Sequence, residues 1–386
     1  MTSTGRAPTQ YPPAPAAVVF LGGVGDEEGG PNSLGQISRL LAAELARRRV
    51  WAVRSITINQ PDVPGVSQCA LVEIGESGEQ PLFDIYAIDY KPTLTRELTV
   101  RNPLLRAAWL TVALLSMLLR FPLFLLSRHR TKPFRELTQG YYALTILLLV
   151  ALYTLTIVVA VIDLVWSRVA GHPTQISSVQ SVVVLLSALA IFTPTYRQML
   201  NAAAVDWAAS ALYVMPSPVR ARIGGQVRKV IGEVSSGRQD GKVHLLSYSF
   251  GAIVALDSVF PKTSTGLQGL RIGRLFTVGC PFDFLRLFHR RYFEDRVSGR
   301  ISRWINIYVP SDILGSNFRR DNEPGPAQLA IGGSIPQNVV HNPEESLAAF
   351  SIFRLSAFRA HEAYWGGEGE PNCFSIVVQE LVDEIP

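Results

Sequence analysis

The chain has 386 residues, of which 48% are hydrophobic and 17% charged, and its formal net charge is +5. That length holds one large α/β domain with an insertion, or two domains, and excludes a small stapled fold. Charged residues fall short of the ~25% usual in soluble domains, which points to membrane contact, and the basic excess is modest and clustered, so it reads as membrane-surface or topological charge and not as a nucleic-acid surface.

Residues 1–16, MTSTGRAPTQYPPAPA, are proline-rich and lack the apolar core of a signal peptide, so they read as a disordered leader on a domain that begins in the cytosol. Residues 17–21 form a short apolar run that reads as a buried strand. Gly22-Gly23-Val24-Gly25-Asp26 follows, and then a helix from Ser33, where Ser33 and Gln36 make a capping box and Leu34, Ile37, Leu41 and Leu45 an inward stripe. This glycine loop lacks both the Lys-Ser/Thr of a P-loop and the G-x-G-x-x-G spacing, so nucleotide binding is not expected. Residues 50–58 and 82–90 read as further strands, with 62–80 as a loop-rich connection.

Between residue 102 and about residue 213 the composition changes. Residues 141–162 are an unbroken uncharged apolar run, above the ~20 residues a helix needs to cross a bilayer. Residues 179–195 are a shorter uncharged run with Pro194 near its end, and 107–126 is broken by Arg120 and Pro122, as an interfacial or lid helix would be. Strands on both sides of this insertion have to join one sheet, so the chain crosses a membrane an even number of times. Residues 141–162 and 179–195 are therefore expected to form a hairpin, with 107–126 in the interface. Arg128, Arg130, Lys132 and Arg135 precede the first run, and Arg197 and the basic surface helix around 220–229 follow the second, which puts both flanks on the cytoplasmic side. A helical cap packed on the core is the alternative. The expected organisation is a leader at 1–16, two halves of one α/β domain at 17–101 and 214–386, and a helical hydrophobic insertion at 102–213.

The chemistry is concentrated after the insertion. Residues 242–260, KVHLLSYSFGAIVALDSVF, read as strand, tight turn and helix, with Ser249 at the turn. A serine there has its hydroxyl pushed out of the sheet and a helix N-terminus behind it, which gives an acyl-transfer nucleophile both access and N–H donors. Residues 274–278 and 304–309 read as two more strands. The first runs into Gly279-Cys280-Pro281-Phe282-Asp283, and the second into Pro310-Ser311-Asp312. An acid just past a strand end, Asp312 or its rival Asp283, can hold a histidine in one tautomer and stabilise its imidazolium. His361 lies in Arg359-Ala360-His361-Glu362-Ala363-Tyr364-Trp365, ahead of a final helix at 374–382, and His341 in VVHNP is the reserve base. Cys69, Cys280 and Cys373 have no C-x-x-C spacing, so neither a disulfide framework nor a zinc site is expected, and a reducing compartment fits.

Taken in order, VVFLGGVGD (18–26), Ser247-Tyr248-Ser249-Phe250-Gly251, Thr277-Val278-Gly279-Cys280-Pro281, WINIYVPSD (304–312) and His361-Glu362-Ala363-Tyr364-Trp365 resemble the α/β-hydrolase superfamily, in particular its lipase and esterase branches. The resemblance implies an α/β-hydrolase fold with a mostly parallel central sheet, here interrupted by the hydrophobic insertion. It also implies a Ser249, Asp312, His361 triad, with the N–H groups of Phe250 and Val24 as oxyanion donors and no metal or cofactor. Gly22 stands where the family usually has histidine, and Ser247 where it has glycine. The implied activity is hydrolysis of acyl esters, and the insertion points to a membrane lipid as substrate and the bilayer as partner. A triad-dependent acyltransferase or lipid thioesterase is the second class, and a membrane-tethered scaffold that kept the fold without the chemistry is the third.

Overall fold

The computed structural model describes residues 14–24, 34–48, 52–58, 63, 65–75, 78–99, 169, 210, 213–215, 217–236, 238, 242–263, 270–312, 314–321, 323–342, 361, 363–366 and 372–382. The runs at 107–126, 141–162 and 179–195 lie outside the described residues, as do the leader before residue 14 and the capping serine Ser33. Among the described residues no helix is long and apolar enough to cross a membrane.

Ala16–Leu21 is strand β1, and every one of its residues is buried. A strand covered on both faces carries a continuous apolar run in place of alternation. Helix α1 (Leu34–Arg48) follows, then β2 (Ala52–Ile58), β3 (Ser67–Gly75), β4 (Gly78–Ala87) and α2 (Lys91–Thr99). Beyond residue 215 come α3 (Pro218–Ser236), β5 (Val243–Tyr248), α4 (Phe250–Val259), β6 (Ile272–Val278), α5 (Phe282–Phe288), β7 (Ile301–Tyr308), β8 (Gln337–Val340) and α6 (Phe374–Val382). The strands make one eight-stranded sheet in the order β2-β3-β4-β1-β5-β6-β7-β8. β2, β3 and β4 pair antiparallel, and every pairing from β4 across to β8 is parallel. The protein is thus an α/β fold on a mostly parallel sheet, and β1 beside β5 joins strands from the two ends of the sequence in one sheet.

Two strands depart from the sequence expectation. The stretch 62–80, expected as a loop-rich connection, contains β3 and the start of β4. Gly65, Gly75 and Gly78 punctuate it, yet Cys69, Ala70, Leu71 and Val72 between them are all buried. β3 is flanked by strands on both sides, so this apolar run has no polar alternation to announce it. β8 is four residues long, pairs with β7 at the edge of the sheet, and follows a stretch of turns, so it carries too little pattern to be read.

One side of the sheet is sealed by α1 and α6. Ile37, Leu41 and Leu45 of α1 and Val377, Val378 and Leu381 of α6 share a buried cluster with Val18, Phe20, Phe83 and Ile85, as the stripe at helical spacing predicts. Two buried ion pairs tie connecting segments to this frame. Arg238 pairs with Asp84, which also accepts the Ala14 N–H at 2.9 Å. Arg296 reaches Asp257 of α4 at 2.7 Å and the Phe260 carbonyl at 3.1 Å.

By packing, the chain divides into two compact units. The first is Met1–Tyr90, Arg222–Asp283 and Phe293–Pro386, and the second is Lys91–Ala221 with Phe284–Tyr292. The sheet and every candidate site residue belong to the first. Within the second, the Arg220 guanidinium lies over the Tyr292 ring, 5.5 Å from its centroid.

Candidate active site

One residue, Ser249, separates the end of β5 at Tyr248 from the start of α4 at Phe250. To reverse the chain in so short a span its backbone takes φ 54° and ψ −127°. L-residues avoid this region, and holding one there costs on the order of 1–3 kcal/mol. The turn is fixed by its neighbours: the Ser249 N–H donates to the Val278 carbonyl at 2.9 Å, and the Ser249 carbonyl accepts the Ala252 N–H at 3.0 Å. Gly251 follows because there is room for nothing else. A Cβ at that position would stand 2.3 Å from the Gly22 carbonyl oxygen and 2.4 Å from that of Leu21, so the first turn of α4 rests directly on the end of β1. Ser247, the departure from glycine, is fully buried and donates its hydroxyl to the Phe276 carbonyl at 2.7 Å. A small side chain with a backbone acceptor is accommodated there without an orphaned polar group.

The structure brings Ser249, His361 and Asp312 together. His361 Nε2 is 2.8 Å from Ser249 Oγ, and His361 Nδ1 is 2.9 Å from Asp312 Oδ2. With its Nδ1–H donated to a carboxylate, the neutral ring leaves Nε2 as the acceptor for the serine hydroxyl. Asp312 lies four residues past β7 and is 1% exposed. Its own N–H donates to the Val309 carbonyl at 3.0 Å, and its Oδ1 accepts the Leu314 N–H at 2.9 Å. Burial acts to raise its pKa, but the charge of His361 and the hydrogen bonds from His361, Tyr364 and the Gly315 backbone outweigh burial and hold the carboxyl below its ordinary 3.8. His361 is held from its other side by Tyr248, whose ring stacks on the imidazole at 5.1 Å and whose hydroxyl donates to the His361 carbonyl at 2.6 Å.

The rival residues are occupied elsewhere. Asp283 accepts the Ser316 hydroxyl at 2.6 Å, so the carboxylate on His361 belongs to Asp312. His341 stacks against Tyr364 at 6.2 Å, and burial lowers its pKa. His361, not His341, is the imidazole within hydrogen-bonding distance of Ser249. Burial pushes the thiols of Cys69, Cys280 and Cys373 up, so none of them is a thiolate nucleophile.

A polar ladder across β6, β7 and β8 explains how the Asp312 loop is placed. Thr277, Asn306 and Asn338 are register partners on neighbouring strands. The Trp304 indole N–H donates to Thr277 Oγ1 at 3.1 Å, Thr277 donates to Asn306 Oδ1 at 3.0 Å, and Asn306 Nδ2 donates to the Ser316 carbonyl at 2.8 Å and to Asn338 Oδ1 at 3.0 Å. Asn338 in turn donates to the Gly325 carbonyl at 2.9 Å. Gly325 and Ser316 are thereby tied to the sheet by two hydrogen-bonded amides, Asn306 buried and Asn338 half-buried, which favour a single arrangement. The tryptophan, asparagine and threonine of the strand motifs are present for this ladder, a role that motif spacing alone does not reveal. The contacts of Tyr248 and Tyr364 with His361 and Asp312 are likewise not revealed by motif spacing.

The two candidate oxyanion donors lie on the segments that meet at Gly251. Val24 is a buried turn residue just after β1, and Phe250 opens α4. The loop bearing Val24 is anchored by the Tyr90 hydroxyl, which donates to the Gly22 carbonyl at 2.7 Å. Gly25 and Asp26 lie outside the described residues. In comparisons with known proteins, no family model, no curated protein and no solved structure matches this chain.

Proposed function

We propose that the protein is a membrane-associated serine hydrolase of the α/β-hydrolase type that cleaves acyl esters of phospholipids or other glycerolipids. The observation that carries this reading is the continuous run of hydrogen bonds from Ser249 Oγ through His361 to Asp312, at 2.8 and 2.9 Å. In the proposed reaction Ser249 Oγ attacks the ester carbonyl while His361 Nε2 takes its proton. Asp312 keeps the ring in the required tautomer and stabilises the imidazolium. The N–H groups of Phe250 and Val24 hold the oxyanion of the tetrahedral intermediate. Its collapse sends the proton from His361 to the departing alcohol, and a water activated by the same nitrogen then releases the acid from Ser249.

The strained backbone of Ser249 supports a catalytic reading over a scaffold. Strain of this kind persists where the surroundings over-determine it, and it clusters at functional sites. The lipid substrate is inferred from the apolar runs at 141–162 and 179–195, since a site tied to a bilayer has its highest substrate concentration there. The reading is tested by giving the detergent-solubilised protein phospholipid vesicles and identifying the products. Free fatty acid and lysolipid are expected. Acyl chains found only on an added alcohol or amine acceptor would make the protein an acyltransferase, and no turnover by folded protein would contradict both.

The charges flanking the apolar runs put the hydrolase domain on the cytoplasmic side of the membrane. In intact cells a membrane-permeant fluorophosphonate is therefore expected to label the protein and an impermeant one to label it only after lysis. Labelling of intact cells by the impermeant probe would reverse the orientation.

A further inference from the structure

Tyr364 is fully buried, in a socket that two glycines keep open. A Cβ at Gly279 would stand 2.9 Å from the Tyr364 ring, and one at Gly315 would stand 2.7 Å from its hydroxyl and 2.5 Å from Asp312 Oδ2. In that seat the hydroxyl accepts the Val309 N–H at 3.0 Å and lies 2.7 Å from Asp312 Oδ2. A phenol has one proton and Val309 supplies its own, so the phenol proton goes to the carboxylate. Burial, with the charge of Asp312 beside it, raises the Tyr364 pKa well above its ordinary value, so the group stays a donor. The oxygen that receives this proton is the one that also accepts His361 Nδ1–H, while Oδ1 is held by the Leu314 N–H.

We propose that Tyr364 is a positioning residue for the Asp312–His361 pair: its hydroxyl fixes the rotation of the Asp312 carboxylate and shares the charge of the oxygen that faces His361. Leu314 on one oxygen and Tyr364 on the other hold the carboxylate plane at both ends. Without the phenol proton Oδ2 loses one of the two side-chain donors that face it, and the carboxylate is held less firmly against rotation. Tyr248 provides the internal contrast, because its hydroxyl donates to the His361 carbonyl and its ring stacks on the imidazole.

The kinetic part of the test rests on the hydrolase reading above; the spectroscopic part does not. Tyr364→Phe keeps the ring in its socket and deletes the donor. Its kcat is expected to fall by about 10- to 100-fold, the order of effect of losing a hydrogen bond to a charged group, with KM unchanged. The low-field proton resonance of His361 Nδ1–H, read without substrate, should move downfield because its acceptor is no longer shared. Tyr364→3-fluorotyrosine keeps ring and hydroxyl, makes a stronger donor, and should move the resonance the opposite way. Tyr248→Phe should leave it in place. A resonance unmoved in both Tyr364 variants overturns the proposal, whatever happens to kcat. If the wild-type protein cleaves no ester while the resonance moves as stated, it is the hydrolase reading that fails and not the coupling of Tyr364 to the pair.

Discussion

Ser249→Ala is expected to abolish ester turnover while leaving the fold intact. The loss should be on the order of 10⁶-fold, the size seen when the serine of a serine hydrolase of another fold is removed. The fold should survive because the Ser249 side chain makes no capping bond to α4 and its hydrogen bond is to His361, across the site. Alanine inherits the same strained backbone and meets no new neighbour, so melting temperature should stay near that of the wild type. Ser247→Ala should keep most of the activity, since it removes one hydrogen bond to the Phe276 carbonyl and no group that faces a substrate. A dead Ser247 variant beside an active Ser249 variant would place the nucleophile two residues earlier.

Asp312→Asn should lower turnover by about 10⁴-fold, as the equivalent change does in a serine protease, by stabilising the wrong tautomer. The geometry gives the reason. Donors face both oxygens of Asp312: Leu314 N–H faces Oδ1, and His361 Nδ1–H and the Tyr364 hydroxyl face Oδ2. An amide must present its NH₂ group to one of these sets, so a donor meets a donor. Asp283→Asn, whose carboxylate is engaged by Ser316, should retain its turnover. If instead the Asp283 variant is dead and the Asp312 variant active, the acid is Asp283, in the segment that follows β6.

The same variant reports on pH. Because the folded-state pKa of Asp312 lies below its ordinary value, its ionised form stabilises the fold. That contribution is complete above the ordinary carboxylate range and is lost as pH falls through the lower folded value. The stability advantage of wild type over Asp312→Asn should therefore shrink on acidification.

The parts legible in the sequence are those where one physical demand is written in adjacent residues. β1 is an unbroken apolar run, and β5 is buried along its whole length, because both lie inside a parallel sheet. The elbow is legible because a one-residue turn between strand and helix needs a small residue at Gly251, and the contact with Gly22 shows why. α6 runs over the residues expected, with its stripe facing the core. What stayed hidden depends on partners distant in the chain. β3 is masked by the glycines around it and declared only by pairing with β2 and β4. The ladder of Thr277, Asn306 and Asn338 exists only once three strands are in register. The choice of Asp312 over Asp283, and of His361 over His341, is likewise a matter of which loops converge at the ends of the parallel strands, and both rivals have the same local sequence credentials.

The most direct measurement is to treat the folded, detergent-solubilised protein with a fluorophosphonate and identify the modified residue by peptide mass spectrometry. A single adduct on Ser249 is expected, because its hydroxyl is hydrogen-bonded to an imidazole that is itself oriented by a buried carboxylate. It should be absent in Ser249→Ala. An adduct on a different residue, or none on folded wild-type protein, would contradict a nucleophilic Ser249.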